Sequence, residues 1–117
     1  MSAEHELAFP TLTSAQMEGL RRFGTERRVT EGEVLFQEGD RGFCFYVVLD
    51  GAVEIVEHSS GTPHTVTVHH PGEFTGDVDT LTGRAALVTG RVRGSARLLE
   101  LDRDRLRQAV GELPEFR

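Results

Sequence analysis

Between residues 25 and 101 the apolar residues come in short runs, separated by glycine, proline and aspartate. Runs of this length that are rich in valine, leucine and phenylalanine indicate β-strands, and the glycine and proline breaks indicate turns. The pattern predicts a small antiparallel barrel or sandwich over about residues 25–101. The predicted strands are 34–37, 43–49, 52–58, 64–69, 85–92 and 96–101.

Two features of this region predict local detail. Asp50-Gly51 lies between the second and third predicted strands and favours a two-residue hairpin, because glycine tolerates a positive φ. Arg93-Gly94 separates the last two strands in the same way. Within strand 64–69, threonine and valine alternate from residue 65 to residue 68, which predicts that one face of this strand is buried.

Helical spacing replaces the β pattern at both ends of the region. Thr13 and Gln16 have the spacing of a capping box, and Gly24 provides a stop signal, so a helix is expected over about residues 13–24 after a leader of about 1–12. Asp102 can cap a second helix over about 102–113. The expected inner stripes are Met17, Leu20 and Phe23 in the first helix, and Leu106, Ala109 and Val110 in the second.

Length and charge narrow the function classes. The 117 residues fit one domain, 1–117, and show no second-domain boundary. The formal net charge of -6 argues against binding of nucleic acid or an anionic membrane through the whole surface, although residues 84–117 carry eight arginines against five acids. No apolar run approaches the roughly 18 residues of a membrane span, so a cytoplasmic protein is expected.

The chemistry-bearing side chains give no sign of an active site. Cys44 is the single cysteine, which excludes an intrachain disulfide and a CxxC motif, and its apolar surroundings predict a buried, unreactive thiol. No Ser-His-acid or Cys-His arrangement can be argued from the spacing. We therefore predict a protein that is not an enzyme and that holds no cofactor.

Residues 35–51, LFQEGDRGFCFYVVLDG, strongly resemble the strand-turn-strand signature of cyclic-nucleotide-binding domains. Gly39 and Gly42 fall at the turn between the strands, and Gly51 falls where the signature closes its hairpin. The resemblance implies a mostly β fold, an antiparallel double-stranded β-roll of the Crp/Fnr-like sensor type, flanked by short N- and C-terminal helices. A non-catalytic regulatory domain is the function it implies.

Residues 71–88 are similar to the phosphate-binding cassette of the same family, so cAMP or cGMP is the candidate ligand. A short helix starting near Gly76 would direct free amides at the phosphate, and the Arg84 guanidinium could donate two hydrogen bonds to it. By resemblance, Asp77 would accept from the ribose 2′-hydroxyl. The candidate binding residues are Gly76, Asp77, Val78, Asp79, Arg84, Ala85 and Ala86.

The cassette also departs from the family pattern. Asp77 stands where glutamate is usual, Asp79 adds a second negative charge beside the phosphate position, and the stretch 80–84 is about two residues short. With its Gly-Asp and its Leu-Thr-Gly before the next strand, the cassette also resembles those of domains attached to thioredoxin-reductase-like flavoproteins. An alternative hypothesis is therefore a nucleotide-free docking domain of a larger protein, either a transcription regulator or such a flavoprotein.

The candidate partners are a second copy of the chain, forming a homodimer, and an effector domain in a longer parent chain. The apolar stripe of Leu106, Val110 and Leu113 could supply a docking contact, although packing on the roll itself is the favoured use of it. No nucleic acid is expected to bind this chain alone, because no residues remain for a helix-turn-helix. A cupin-like metal enzyme would need three or four converging His or carboxylate ligands. The candidates are His58, His64, His69 and His70, but the neighbours His69 and His70 point to opposite faces of a strand, so at most one of them can face a shared site.

Overall fold

The computed structural model describes residues 11–58 and 61–114, with the side chains of residues 77–79 outside the description. The described residues form three helices and six strands. In chain order these are α1 (Ser14–Arg21), β1 (Thr25–Val29), β2 (Val34–Phe36), β3 (Phe45–Glu57), β4 (His64–His69), β5 (Phe74–Thr75), α2 (Asp77–Thr82), β6 (Thr89–Leu101) and α3 (Arg103–Glu112).

The strands form one antiparallel system built around two long members. The main order is β1-β6-β3-β4, with β2 added to β6 and β5 added to β3. Strands β3 and β6 each have 13 residues and pair with each other from Phe45 opposite Leu101 to Val56 opposite Thr89. The shorter strands flank the two ends of this ribbon, which confirms the predicted mostly β, antiparallel roll with short helices at either end.

The predicted hairpin at Asp50-Gly51 is wrong. The residues on both sides of Gly51 belong to β3 and pair with β6, and the register shifts twice between Val48 and Ala52. Gly51 has a φ of 83°, so the conformation that suggested a turn forms a bulge inside a continuous strand. A Cβ there would lie 2.6 Å from the carbonyl oxygen of Ser95 on β6, so the two backbones approach too closely for any side chain.

The boundary predicted at Arg93-Gly94 is wrong for the same reason. Gly94 has a φ of 70° within β6, on the strand facing the Gly51 bulge, and its amide donates to Glu31 Oε1. Residues 85–88 are not part of a strand either, since β6 begins at Thr89. The predicted strand 64–69 coincides with β4, whereas β1 and the two-residue β5 were not predicted.

The first helix confirms its capping box. Thr13 Oγ1 accepts from the Gln16 amide at 3.1 Å, and Gln16 Oε1 accepts from the Thr13 amide at 2.9 Å. The helix itself ends at Arg21, and Gly24 lies beyond it in a tight approach to β6. A Cβ on Gly24 would lie 2.8 Å from Leu99 Cγ, so glycine is required there by packing. Residues 1–10 of the predicted leader 1–12 lie outside the described residues.

The last helix confirms its cap and its buried stripe. The Asp102 side chain accepts from the Arg105 amide at 2.8 Å, and Leu106 and Ala109 are buried against the sheet. Leu113 is also buried, and Val110 is partly buried in the same cluster. Packing on the roll itself, the favoured use of this stripe, is therefore confirmed.

Two apolar clusters lie on opposite faces of β3 and β6. Alternation along β3 sends Phe45 and Val47 to one face and Tyr46 and Val48 to the other. The helix-side cluster consists of Leu20, Phe45, Val47, Leu99, Leu101, Leu106, Ala109 and Leu113. The interior cluster, inside the roll, consists of Val29, Phe36, Phe43, Tyr46, Val48, Val53, Ile55, Ala86, Val92, Ala96 and Leu98.

Candidate functional site

Strand β4 presents its polar face to the interior of the roll. His69 pairs with Val53 and Thr67 pairs with Ile55, and directly opposed residues of an antiparallel pair share a face. Because Val53 and Ile55 belong to the interior cluster, Thr67 and His69 face inward as well. Val66, on the alternate face, is 56% exposed. The face that turns inward is therefore the polar one, with His69 buried and Thr67 half-buried, and the alternate face carries the exposed Val66 and the half-buried Val68.

These inward side chains line a cavity of about 210 Å³, which we call the roll cavity. Two of its lining residues, Val66 and Leu87, are large apolar side chains that remain exposed, and they mark its mouth. A concave, largely apolar space with a few polar groups is the usual form of a small-molecule site. The lining residues are Phe36, Phe43, Ile55, Val66, Thr67, His69, Thr75, Gly76, Ala86, Leu87 and Val88.

A buried pair of side chains fixes one polar group of the cavity. His69 Nδ1 lies 3.2 Å from Glu73 Oε1, and both residues are less than a tenth exposed. The same carboxylate oxygen accepts from the His70 amide at 3.2 Å. This contact holds the imidazole in place, and the carboxylate accepts the hydrogen bond when Nδ1 carries the proton.

Two buried hydroxyl groups have no hydrogen-bond partner among the described residues. They are Thr75 Oγ1 and Thr80 Oγ1, on side chains that are 3% and 1% exposed. A buried hydroxyl without a partner costs roughly 1 to 3 kcal/mol of stability, so such groups call for an explanation. Thr75 lines the roll cavity, whereas Thr80 does not.

The cassette residues divide between this cavity and the surface beside it. A short helix was expected near Gly76, and α2 begins at Asp77, directly after Gly76 with its φ of 73°. Gly76 and Ala86 both line the roll cavity. The side chains of Asp77, Val78 and Asp79 lie outside the description, so their assignment as binding residues stays a prediction.

Arg84 lies outside the roll cavity. It is exposed and lines a neighbouring depression of about 270 Å³ together with Arg41, Ala85 and Leu87, which we call the arginine depression. Leu87 borders both spaces, so the arginine depression adjoins the mouth of the cavity. Arg41 is not among the candidate binding residues predicted from the sequence, although its position in the turn between the two glycines of the family signature could have indicated it.

That turn holds the cassette loop against the roll. The Gly39 amide donates to the Ala86 carbonyl, and the Ala86 amide donates to the Asp40 carbonyl, both at 2.8 Å. Arg41 Nη1 donates to the Gly83 carbonyl at 3.2 Å. The backbone of Ala86 is therefore fixed by the protein, and its small side chain is the part that faces the cavity.

Other candidate chemistry does not converge. The described residues contain no group of three His, Cys, Asp or Glu side chains able to hold a metal ion, and His64 and His70 are exposed while His69 is buried. His58 instead lies 3.1 Å from Glu38 Oε1. Cys44 is a half-buried free thiol whose pKa is raised, chiefly by burial. Within the described ranges, no helix has the length and apolar character to cross a membrane.

A second space, on the surface of the domain, is lined by other residues than the roll cavity. It is an open groove of about 480 Å³, larger than the roll cavity but without any cassette residue. Arg97 of this groove is paired within the protein, since its Nη1 donates to Glu26 Oε2 at 3.2 Å. The groove is lined by Arg28, Val29, Thr30, Asp50, Ser95, Ala96 and Arg97.

The comparisons with known proteins agree with this arrangement. The family model of the cyclic nucleotide-binding domain matches residues 26–112. The chain belongs to the cyclic nucleotide-binding domain family. A cAMP-dependent protein kinase regulatory subunit of Dictyostelium discoideum is 33% identical to this cyclic nucleotide-binding domain over 90 residues, which are 74% of the domain and 28% of the relative.

Solved structures place the fold in the same family. A protein from a cyclic-GMP-dependent signalling pathway that regulates bacterial phytopathogenesis superposes with a TM-score of 0.78 at 25% identity, covering 91% of this chain and 85% of that one. The catabolite activator protein of Thermus thermophilus also gives 0.78, at 24% identity, over 90% and 50% of the two chains. The cyclic nucleotide-binding domain described here thus spans about a quarter of the kinase subunit and half of the activator.

Proposed function

We propose that this domain binds a cyclic nucleotide, cAMP or cGMP, in the roll cavity and acts as a non-catalytic regulatory module. The observation that carries the proposal is the orientation of strand β4. Its register turns the polar side chains of Thr67 and His69 toward the interior and leaves the apolar Val66 exposed. A strand that served packing alone would bury its valines. Polar groups on an inner wall, facing Gly76 and Ala86 of the cassette, suit a polar ligand inside an apolar shell.

The arginine depression supports a place for the phosphate. Arg84 and Arg41 lie together beside Leu87, at the mouth of the roll cavity. A guanidinium offers parallel donors that match phosphate oxygens, and the chain carries its local excess of positive charge from residue 84 onward. The nucleotide would then lie with its phosphate toward these arginines. Asp77, as the resemblance implies, would accept from the ribose.

The relatives support a regulatory role within a larger assembly. The matched kinase relative is a cAMP-dependent regulatory subunit, and another match belongs to a cyclic-GMP-dependent pathway. Since this chain covers only part of the first, an effector domain in a longer parent chain or a second copy of the domain would receive the signal. Attachment to a flavoprotein of the thioredoxin-reductase type stays one hypothesis for that parent.

Thermal unfolding with and without nucleotide tests the proposal. A ligand present at about 100 times its dissociation constant stabilises the folded state by about 2.7 kcal/mol, which implies a rise in Tm on the order of 10 °C for a domain of this size. We expect this rise with cAMP or cGMP and not with the open 5′-monophosphate. Arg84→Ala should remove most of it, because a phosphate without its partner costs on the order of 2 to 5 kcal/mol.

A matched variant separates the cavity from the groove. Arg28→Ala removes the same charge from the 480 Å³ groove and should leave the nucleotide effect unchanged. Asp79→Ala should strengthen binding by removing a negative charge near the phosphate position. Unchanged melting of the parent protein at millimolar cyclic nucleotide would reject the proposal and favour the nucleotide-free docking domain. Loss of binding in Arg28→Ala, with Arg84→Ala unaffected, would move the site to the groove.

A further inference from the structure

We propose that the hydroxyl group of Thr75 is a direct hydrogen-bonding contact to the sugar-phosphate part of the nucleotide. This inference rests on the proposed function. Thr75 combines three properties: its side chain lines the roll cavity, it is 3% exposed, and its Oγ1 has no partner among the described residues. A buried hydroxyl on a cavity wall without a protein partner is suited to meet a ligand.

The sheet register fixes the direction of this side chain. Thr75 lies opposite Tyr46 in the pairing of β5 with β3, and opposed residues share a face. Tyr46 belongs to the interior cluster, so the Thr75 side chain also points into the roll. Strand β5 has only two residues, Phe74 and Thr75, which pair with Val47 and Tyr46 of β3.

The position of Thr75 in the chain selects the part of the ligand. It lies within the cassette and directly precedes Gly76, the first of the candidate binding residues on the cavity wall. The sugar-phosphate is the part of the nucleotide that the cassette is proposed to hold, so a group next to Gly76 lies closer to it than to the base. Since cAMP and cGMP share this part, the contact should contribute equally to the binding of both.

Thr80 provides a matched control within the same region. Its hydroxyl is also buried and unpartnered, at 1% exposure, but it does not line the roll cavity. Its amide donates to the Gly76 carbonyl at 2.8 Å, so it lies one helical turn from the same glycine. A valine at either position keeps the shape of threonine and removes only the hydroxyl.

The experiment measures the dissociation constants of cAMP and cGMP, together with Tm without ligand, for the parent protein and three variants. We expect Thr75→Val to weaken both nucleotides about tenfold, the loss of about one hydrogen bond, while its unliganded Tm stays equal or rises. Thr75→Ser keeps the hydroxyl and should bind within about threefold of the parent. Thr80→Val should show the same unliganded Tm behaviour as Thr75→Val, with unchanged affinities.

The outcomes separate this inference from the proposed function. If the parent protein binds neither nucleotide, the proposed function fails. If the parent binds and Thr75→Val binds equally well, the Thr75 contact alone is rejected. A loss confined to one nucleotide would place Thr75 at the base and overturn the sugar-phosphate assignment. A lower unliganded Tm of Thr75→Val would also overturn the inference, because the hydroxyl would then have a partner within the protein.

Discussion

Strands β3 and β6 separate two regions that are equally buried and differently composed. On the helix-side face, α1 and α3 cover the apolar cluster and contribute Leu20, Leu106 and Ala109 to it. On the interior face, the apolar cluster surrounds a cavity whose wall includes Thr67, His69 and Thr75. The same two strands therefore pack against helices on one face and form part of the wall around a cavity on the other.

The two faces differ in the elements that cover them. The helix-side cluster contacts two amphipathic helices that fill the space, so a polar group there would lack a partner. The interior face meets strands rather than helices, and its polar groups are either paired, as His69 is with Glu73, or left for a ligand, as we propose for Thr75. Both faces contribute buried apolar side chains to stability, and the proposed binding groups lie on the interior face alone.

Two neighbouring leucines on β6 allow the faces to be compared directly. Leu98 belongs to the interior cluster and Leu99 to the helix-side cluster, at 0% and 2% exposure. Because both are fully buried, Leu98→Ala and Leu99→Ala should each lower the free energy of unfolding by about 3 kcal/mol, measured in urea. Leu99→Ala should leave the nucleotide dissociation constant unchanged. A loss below about 1 kcal/mol for Leu98→Ala would show that the interior is loosely packed even away from its cavity.

The interior face should also respond to alkaline pH through Tyr46. Burial, followed by the hydrogen bond that its hydroxyl donates to Glu100, raises the pKa of Tyr46 above its ordinary value of about 10. The unfolded chain then loses this proton before the folded one does. Stability is complete below about pH 10 and falls as pH rises toward the folded pKa, by at most about 1.4 kcal/mol per pH unit.

This prediction is simple to follow because the chain has one tyrosine and no lysine. Tyrosinate absorbance reports Tyr46 alone, and urea unfolding between pH 9 and 11 gives the slope. Tyr46→Phe should flatten the slope. Cys44→Ala is the control, since burial also raises the pKa of that thiol. A slope that vanishes in the cysteine variant and persists in Tyr46→Phe would contradict the assignment.

The smallest expected effect is on the helix side. Thr13→Ala removes the hydroxyl that accepts from the Gln16 amide and should lower stability by about 1 kcal/mol. Because α1 contributes to the helix-side cluster and to none of the cavity wall, the affinity for nucleotide should not change. Chemical denaturation and ligand titration of the same variant measure both quantities, and a weakened affinity would show that the two faces are coupled.

Local chemistry allowed the helices to be predicted from the sequence. The capping signals at Thr13 and Asp102 act within four residues, so they need no knowledge of the fold. The glycine of Asp50-Gly51 was also recognised correctly as a site of positive φ. Its role was not, because the same φ serves a hairpin or a bulge. The choice depends on the pairing of β3 with β6, which lies more than forty residues away along the chain.

The candidate site shows the same limit. The resemblance to the family located the cassette, and Gly76 and Ala86 do meet at the roll cavity. Alternation in β4 predicts that one face turns inward, but it does not say which of the two faces that is. Only the register against β3 identifies Thr67 and His69 as the inner side chains. Thr75 gave no signal of its own, since a lone threonine before a glycine is common.

The pairing of the first strand with the last has a consequence for how the chain reaches this structure. Thr25 lies opposite Glu100 and Val29 opposite Ala96, so β1 cannot find its partner until nearly the whole roll has been made. Contacts so distant along the chain require large loops to close before they contribute, which places such topologies among the slow folders, at milliseconds to seconds. During synthesis, the backbone groups of β1 therefore lack their partner strand until β6 has been made.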